Sequence, residues 1–259
     1  MKWLIGCTVS GELMNLGGSI ERVLNGLQIA SLPWIRPRIV RAFWHDPEAY
    51  TQGLAFYRGT LYESTGLENA SSLRVVDACD GRVRERHDVP GEFVEGIGIL
   101  RERLYQLTWR TGRVFIYDLR PLRRVGEARI AHEGWGLASD GSQLWATDGS
   151  EVIRRYDSEM LMLAEVRVRS RGYAFRHLND IEMAKGRLYA NIWYSRFLAE
   201  VDVSLGRVVR MVDCSELVRL AGAQTREDVM NGIAFNADAD TFFVTGKRWE
   251  KYFEIQLPD

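Results

Sequence analysis

Hydrophobic and polar residues alternate in short runs along most of this chain, and one small motif recurs five times within that alternation. In each copy a variable residue precedes a glycine, or once an aspartate, and an aliphatic residue follows. The copies are Gln52-Gly53-Leu54, Glu95-Gly96-Ile97, Trp135-Gly136-Leu137, Asn179-Asp180-Ile181 and Asn231-Gly232-Ile233. Their aliphatic residues lie 43, 40, 44 and 52 residues apart, which is the range of propeller blades. The pattern therefore predicts five structural repeats.

Each motif is followed by a second alternating run, rich in aromatic and β-branched residues, as expected of the second strand of a hairpin. These runs are Leu61–Thr65, Leu104–Thr108, Leu144–Asp148, Leu188–Ile192 and Phe242–Gly246. A third run ends in aspartate in four units, at Asp77, Asp118, Asp157 and Asp202, and a weaker fourth run follows it. Four strands in each of five units predict an all-β fold, a five-bladed β-propeller.

The fifth unit ends after three strands, at Tyr252–Leu257, so its fourth strand must come from another part of the chain. The run Ile39–Trp44 alternates suitably and precedes the first unit. We expect it to be the outer strand of the last blade, because pairing the two ends of the chain removes an exposed sheet edge. Residues 38–259 then form the propeller and residues 1–37 an N-terminal extension. Apolar residues at helical spacing predict a short helix over residues 12–29 of that extension.

Composition and charge exclude several kinds of partner. The 259 residues are 46% hydrophobic and carry a net charge of -1, which suits one large core. No basic field is present to attract nucleic acid or an anionic membrane, and no segment is long and apolar enough to span a bilayer. We therefore expect no nucleic-acid partner, no membrane association and a monomeric protein.

Cysteine and histidine, the usual ligands of zinc, are sparse in this chain. Cys7, Cys79 and Cys214 are widely spaced and odd in number, so they indicate no disulfide framework or zinc ribbon and allow at most one bridge. The four histidines show no metal-ligand spacing with one another or with cysteine. The sequence therefore indicates no zinc site. We expect no metal ion at the functional site and no cofactor, and the sequence leaves open whether a structural ion lies in the axial channel.

The start of the chain has some features of an export signal. Residues 1–7 combine a positive charge with a Leu-Ile-Gly-Cys string like that of a lipoprotein cleavage site. The apolar stretch is shorter than the roughly 7–15 residues of a secretory signal. We therefore predict no export signal in this segment.

Alignment of the five units places unlike residues at two equivalent positions. The first position, in front of the glycine or aspartate of each motif, holds Gln52, Glu95, Trp135, Asn179 and Asn231. The second position, just after the second strand, holds Gly66, Trp109, Gly149, Trp193 and Lys247. Structural repeats usually keep similar residues at equivalent buried places, so this divergence predicts an asymmetric site on a repeated frame. The alternative is that the tryptophans only fill the space between blades.

Glu95 is the candidate for proton transfer, because it is the only carboxylate at the first position. A carboxylate walled by indoles loses solvation, so its pKa should rise until it can both take and return a proton near neutral pH. The alternative is a surface ion pair between Glu95 and Arg101 or Arg103. Glu63 is a weaker candidate, because pairing within its sheet is equally expected.

An ordered set of short strings extends through every unit over roughly residues 43–257. They include Tyr50-Thr51-Gln52-Gly53-Leu54, Tyr62-Glu63-Ser64-Thr65-Gly66, Glu95-Gly96-Ile97, Gln106-Leu107-Thr108-Trp109, Glu133-Gly134-Trp135-Gly136-Leu137, Leu178-Asn179-Asp180-Ile181-Glu182, Asn191-Ile192-Trp193, Asn231-Gly232-Ile233-Ala234 and Thr245-Gly246-Lys247-Arg248-Trp249. The set closely resembles the plant and bacterial type of glutaminyl-peptide cyclotransferase. It is unlike the animal enzyme, which is an α/β zinc protein.

The resemblance implies a reaction and a set of site residues. The free α-amine of an N-terminal glutamine attacks its own side-chain amide carbon, which forms pyroglutamate and releases ammonia. The partner is then a peptide or protein that begins with glutamine, and no cofactor is needed. The residues that match the family's active site are Gln52, Glu95, Trp109, Trp135, Asn179, Trp193 and Lys247. Of these we expect Glu95 and Lys247 to be catalytic and the others to bind substrate.

The chain departs from the family pattern in a few places near the predicted site. The family usually has Phe at Tyr50, Thr at Gly98 and the string Leu-Asn-Glu-Leu-Glu at residues 178–182. Most members are also exported, so the resemblance and the predicted lack of a signal disagree, and the compartment is left open.

Two other classes of function fit a propeller. A metal-dependent hydrolase or lactonase would hold a calcium ion on oxygen donors near the axis. The candidate donors are Glu95, Asn179, Asn231 and Asp148. A non-catalytic propeller would use the tryptophans as a peptide-recognition surface. Release of ammonia from a peptide that begins with glutamine separates the cyclotransferase from both.

Overall fold

A computed structural model describes residues 26–258, and this part of the chain is almost wholly β. The first sheet contains β3 (Thr51–Tyr57), β4 (Thr60–Thr65), β5 (Ser72–Asp77) and β6 (Val83–Asp88). The second contains β7 (Val94–Leu100), β8 (Arg103–Thr108), β9 (Arg113–Leu119) and β10 (Leu122–Arg129). The third contains β11 (Leu137–Ser139), β12 (Leu144–Ala146), β13 (Val152–Tyr156) and β14 (Met162–Arg167). Each of these sheets is an antiparallel meander, as the hairpin pattern predicts.

The fourth and fifth sheets combine consecutive strands with strands from elsewhere in the chain. The fourth contains β17 (Leu178–Ala184), β18 (Arg187–Ile192), β19 (Phe197–Asp202) and β20 (Arg207–Asp213), with β1 (Trp34–Ile35), β15 (Arg169–Ser170) and β16 (Tyr173–Ala174) at its outer edge. The fifth contains β21 (Met230–Asn236), β22 (Thr241–Gly246), β23 (Lys251–Gln256) and β2 (Arg38–Trp44). The sheets form a propeller-like arrangement.

Glycines of the recurring motif let the first strands of neighbouring sheets approach closely. A Cβ atom added at Gly53 would lie 2.7 Å from the Cα atom of Gly96, and one added at Gly96 would lie 2.6 Å from the Cα atom of Gly136. At Gly136 a Cβ atom would lie 2.1 Å from the carbonyl oxygen of Asn179. Any side chain there would force the strands apart. The motif therefore repeats because the packing contact repeats.

Buried apolar side chains form five clusters within residues 26–258, and each cluster joins two sheets. The cluster between the fifth and first sheets contains Leu54, Leu61 and Phe243, which are at most 1% exposed. Burying one side chain of this size contributes roughly 1.5–3 kcal/mol. The core is therefore distributed between the sheets rather than gathered in one centre.

The last strand of the chain pairs in the fifth sheet with the strand that precedes the first sheet. β2 pairs antiparallel with β23, with Ala42 opposite Phe253 and Phe43 opposite Tyr252. This is the pairing that the sequence predicts for the run Ile39–Trp44. It covers an edge of β23 that would otherwise be open to pairing with other chains.

The segment before β2 packs on the fourth sheet. Residues 26–30 form a helical turn, α1, and β1 then pairs in parallel with β20. Of the helix predicted over residues 12–29, the part before residue 26 lies outside the described residues, as does Cys7. Cys79 and Cys214 are free thiols, one exposed and one buried. No helix within residues 26–258 is both long and apolar enough to cross a membrane.

The longest interval between motifs, 52 residues, contains an insertion between the fourth and fifth sheets. After β20 the chain forms α2 (Ser215–Leu220) and a loop before it enters β21. Leu217 and Ala221 of this insertion are buried in the cluster between those sheets. The loop that follows α2 reaches the pocket described below.

Candidate active site

A β-bulge interrupts the first strand pairing of four sheets at the recurring motif. The register shifts between Thr51 and Gly53, between Val94 and Ile97, between Leu178 and Ile181, and between Met230 and Ile233. A residue in a bulge leaves the regular ladder, and its side chain is redirected. The bulges therefore release the variable residue of four of the five motifs from the alternating packing of its strand.

One pocket of about 220 Å³ brings together all seven residues that the sequence predicts for the site. They are Gln52, Glu95, Trp109, Trp135, Asn179, Trp193 and Lys247. The four polar members are only 2–6% exposed, whereas Trp193 is 37% exposed. The polar groups therefore lie deep, and Trp193 stands at the mouth.

The second equivalent position, just after the second strand of each sheet, provides side chains to the pocket in three sheets and leaves space for them in two. Three of its residues line the pocket directly after β8, β18 and β22, namely Trp109, Trp193 and Lys247. The other two are glycines. A Cβ atom at Gly66 would lie 2.5 Å from a ring carbon of Phe93, and one at Gly149 would lie 2.6 Å from a ring carbon of Trp135. Glycine at these positions leaves room for the aromatic rings of the wall.

The aromatic side chains of the pocket form a connected wall. The rings of Phe93 and Trp109 have their centroids 5.3 Å apart, and those of Trp135 and Trp193 are 5.7 Å apart, both pairs edge to face. Glu133 joins the two pairs, because its Oε2 atom accepts the indole N–H groups of Trp109 at 2.9 Å and Trp135 at 3.3 Å. The wall is therefore held in place by hydrogen bonds as well as by ring contacts.

Glu95 is a desolvated carboxylate with a positive neighbour. Burial raises its pKa well above the ordinary value, the charge of Lys247 acts in the opposite direction, and the charges of Asp180 and Glu133 add to the rise. Its Oε1 atom accepts a hydrogen bond from Nε2 of Gln52 at 3.2 Å. The direction of the shift is the one predicted from the sequence.

The alternative interpretation of Glu95 placed it on the surface beside Arg101 or Arg103. Both arginines lie at the hairpin between β7 and β8 and are exposed, whereas Glu95 is buried in the pocket. That interpretation is wrong, because the bulge in β7 turns Glu95 inward.

Lys247 is a buried amine. Burial lowers its pKa, while the carboxylates Glu95 and Glu227 act in the opposite direction. Its Nζ atom lies 4.5 Å from the ring centroid of Tyr50, within the range of a cation–π interaction. The ammonium group is therefore attracted both by the carboxylates and by the face of a phenol ring.

Three further residues line the pocket that the sequence did not single out as site residues: Tyr50, Phe93 and Glu227. Tyr50 and Phe93 stand two positions before Gln52 and Glu95, and each directly precedes the first strand of its sheet. Extending the alignment by two residues would have found them. Glu227 lies in the insertion before β21, where no repeat could reveal it.

Glu63, the weaker candidate, lies outside the pocket. It is fully buried and accepts hydrogen bonds at 2.7 Å from the Thr51 hydroxyl and at 2.8 Å from Nε2 of His45. A guanidinium nitrogen of Arg74 lies 3.6 Å from its second oxygen. Glu63 thus pairs within and beside its own sheet, as the alternative interpretation held.

Two of the four side chains considered as calcium ligands contact other protein groups. The Asp148 carboxylate bonds Arg154 at 2.6 Å and the backbone N–H of Ser150 at 3.0 Å, and Asn231 donates to oxygens of β3. Within the part of the chain that the structure describes, no group of three or more His, Cys, Asp or Glu side chains is arranged to hold a metal ion.

Comparisons with known proteins agree with one another. A family model described as glutamine cyclotransferase matches residues 15–257. A glutaminyl-peptide cyclotransferase of Arabidopsis thaliana is 39% identical over 226 residues, which cover 85% of this chain and 70% of that protein. The crystal structure of Myxococcus xanthus glutaminyl cyclase superposes with a TM-score of 0.83 at 33% identity, covering 88% of this chain and 100% of that one. The chain belongs to the glutamine cyclotransferase family.

Proposed function

We propose that this protein is a glutaminyl-peptide cyclotransferase, which converts the N-terminal glutamine of peptides or proteins to pyroglutamate and releases ammonia. The similarity to the glutaminyl-peptide cyclotransferase of Arabidopsis and the glutaminyl cyclase of Myxococcus supports this activity. The observation that carries the proposal is a single small pocket in which a desolvated carboxylate and a buried amine stand inside an aromatic wall. Its volume of about 220 Å³ suits one residue of substrate rather than a length of chain.

The reaction needs one proton to move from one nitrogen to another. The α-amine nitrogen forms a bond to the side-chain amide carbon, and the bond from that carbon to the amide nitrogen breaks. Glu95 takes a proton from the attacking amine and returns it to the departing nitrogen, which leaves as ammonia. A raised pKa suits a group that must be both base and acid near neutral pH, and such catalysis typically contributes 10²–10⁴-fold.

The carbonyl oxygen of the attacked amide gains negative charge in the tetrahedral intermediate. Lys247 and the amides of Gln52 and Asn179 are the donors of the pocket that can stabilise it. Removal of one such donor usually raises the barrier by about 2.7–4 kcal/mol. Burial matters here, because a donor in a water-poor site needs little reorganisation when the charge develops.

The aromatic wall has the task of orientation. An N-terminal glutamine must curl until its amine meets its own side-chain carbon, and most conformations in water are extended. Trp109, Trp135 and Trp193 enclose the space in which the curled conformer fits. Holding the reacting atoms together in this way removes part of the entropic barrier.

We also propose that residues 38–259 form a closed five-bladed catalytic propeller, with residues 1–37 as an extension and the protein a monomer. In support, the apolar clusters link each sheet to the next and link the fifth sheet back to the first. β21 also packs against β3, and β2 completes the fifth sheet. Sedimentation of the purified protein tests the monomer.

Mass spectrometry of a peptide that begins with glutamine tests the activity. We expect the peptide to lose the mass of one ammonia molecule in the presence of the protein, and a matched peptide that begins with asparagine to stay unchanged. The loss should persist in a metal chelator, because every proposed role belongs to a side chain. Binding without loss of ammonia would instead indicate a peptide-recognition propeller, and a chelator-sensitive reaction would favour a metal-dependent enzyme.

A further inference from the structure

Asn231 is a buried amide behind the pocket. It holds the variable position of the fifth motif and lies in the bulge of β21, equivalent in the repeat to Gln52 and Glu95. Unlike them it is 0% exposed and does not line the pocket. It therefore has no direct access to a substrate.

The Asn231 side chain contacts the strand that carries Gln52. Its Nδ2 atom lies 3.2 Å from the carbonyl oxygen of Thr51, 3.1 Å from that of Gln52 and 3.2 Å from Oε1 of the Gln52 side chain. Only an NH₂ group fits a place that faces three acceptors, because an amide oxygen has no proton to donate. The backbone of β3 therefore determines which way the Asn231 amide points.

This orientation in turn determines that of Gln52. Because its Oε1 atom accepts from Asn231, its Nε2 atom is the one that faces Oε1 of Glu95, at 3.2 Å. Gln52 is 2% exposed and tightly packed, since a Cβ atom at Gly66 would lie 2.9 Å from its Cγ atom. The side chain has little room for another arrangement.

The chain of hydrogen bonds distinguishes the two oxygens of Glu95. Oε1 faces an N–H donor, so a neutral Glu95 carries its proton on Oε2. A donor that faces a carboxylate favours the charged form, as the charge of Lys247 also does. Burial and the charges of Asp180 and Glu133 favour the neutral form.

We propose that Asn231 is a positioning residue, which acts through Gln52 to hold Oε1 of Glu95 as an acceptor and so leaves Oε2 to exchange a proton with the substrate. The proposal rests on the proposed cyclotransferase activity. It assigns no contact with substrate to Asn231.

Asn231→Leu tests this role, because leucine has a similar size and no donor. Without Asn231 the Gln52 amide can turn its oxygen toward Glu95, which favours the protonated carboxyl group. We expect kcat to fall at least about tenfold and KM to stay within about threefold, since the pocket lining is unchanged. The acid limb of kcat/KM should move up by about one pH unit. The substrate is the same for both proteins, so its own α-amine contributes equally.

Gln106→Leu is the matched control. Gln106 is also a fully buried amide, bonded to Ser64 at 2.9 Å and Tyr117 at 3.0 Å rather than to the pocket. We expect it to lower stability but to keep the wild-type pH profile. In a Gln52→Leu background, the further change Asn231→Leu should alter kcat by less than about twofold, because both residues act through the same contact.

Three results separate the possible failures. If the wild-type protein releases no ammonia, the proposed function and this inference are both overturned. If the wild type is active and Asn231→Leu keeps its pH profile, or adds its full effect to Gln52→Leu, only the role of Asn231 is overturned. If circular dichroism shows that Asn231→Leu does not fold, Asn231→Ser replaces it; its shorter side chain cannot reach Oε1 of Gln52, and the same shift of the acid limb is expected.

Discussion

Glu95→Gln removes the proposed proton-transfer group of the pocket while it keeps the shape of the side chain. The introduced amide oxygen can still accept the hydrogen bond that Gln52 donates at 3.2 Å. Because burial raises the pKa of Glu95, its ionised form does not stabilise the fold. We therefore expect a melting temperature equal to that of the wild type or above it.

The expected loss of activity follows from the role of the proton. General acid–base catalysis contributes about 10²–10⁴-fold, or about 2.7–5.4 kcal/mol of barrier at 1.36 kcal/mol per factor of ten. We expect kcat for ammonia release from a peptide that begins with glutamine to fall at least about a hundredfold. KM should change little, because the aromatic wall and the other donors remain. A coupled assay of ammonia over a range of peptide concentrations, from below KM to saturation, measures both values.

Glu63→Gln is the matched control for Glu95→Gln. Glu63 is also buried but pairs with His45 and Arg74 outside the pocket. Breaking such a buried pair costs about 3–5 kcal/mol, so the control should unfold more easily and yet keep the wild-type kcat per folded molecule. A Glu95→Gln protein with near-normal kcat would remove Glu95 from the mechanism. One that loses stability as Glu63→Gln does would make Glu95 a structural residue.

Four further predictions follow from the same contacts. If Lys247 contacts the substrate mainly in the transition state, Lys247→Ala should lower kcat more than it raises KM. The activation barrier should rise by about 2.7–4 kcal/mol, and a kcat equal to that of the wild type would exclude Lys247 as an oxyanion donor. Gly149→Ala should lower kcat/KM and alter tryptophan fluorescence, because the new Cβ atom would lie 2.6 Å from the Trp135 ring. Although burial acts against them, the charged partners of Glu63 hold its pKa below the ordinary 4.5. The ionised Glu63 therefore stabilises the fold above about pH 4.5, and this stabilisation is lost as the pH falls through the lower pKa of Glu63 in the folded protein. In urea denaturation, the free energies of unfolding of the wild type and Glu63→Gln should therefore become equal in acid. Truncation before Trp44 removes most of β2, and unchanged melting would contradict closure by pairing with β23.

Much of the pocket was predictable because two different constraints act on adjacent residues. The glycines of the motif recur because neighbouring strands touch at them, as at Gly53 and Gly96. In four of the five units the residue before that glycine or aspartate is free to vary, because a bulge releases it from that packing. Alignment of the units detects both the constant and the variable position. Counting strands in the units also predicted the pairing of Ile39–Trp44, because the fifth unit lacks a fourth strand and its open edge must be covered.

Other features of the pocket could not be predicted by aligning the five units. Asn231 and Gln52 hold equivalent positions, yet one supports the pocket from behind and the other lines it. Alignment of the units gives the position of a residue in the repeat but not the direction of its side chain. That direction depends on the groups that pack around each bulge. Glu227 comes from an insertion that no other unit shares, and its carboxylate bonds the hydroxyl of Tyr194 at 2.5 Å. Only the folded chain brings that loop to the pocket.

Asp180 shows that the break in the repeat serves both the fold and the site. It replaces the glycine of the motif, and its buried Oδ2 atom accepts the backbone N–H groups of Leu54 at 3.2 Å and Ile233 at 2.9 Å. These two bonds offset part of the cost of burying a carboxylate, although burial still raises the pKa of Asp180 well above its ordinary value. They also tie β17 to β3 and β21, the strands that carry Gln52 and its buried amide partner. In its ionised form Asp180 also raises the pKa of Glu95. A glycine at this position would therefore remove a cross-link between sheets and one influence on the pKa of Glu95 together.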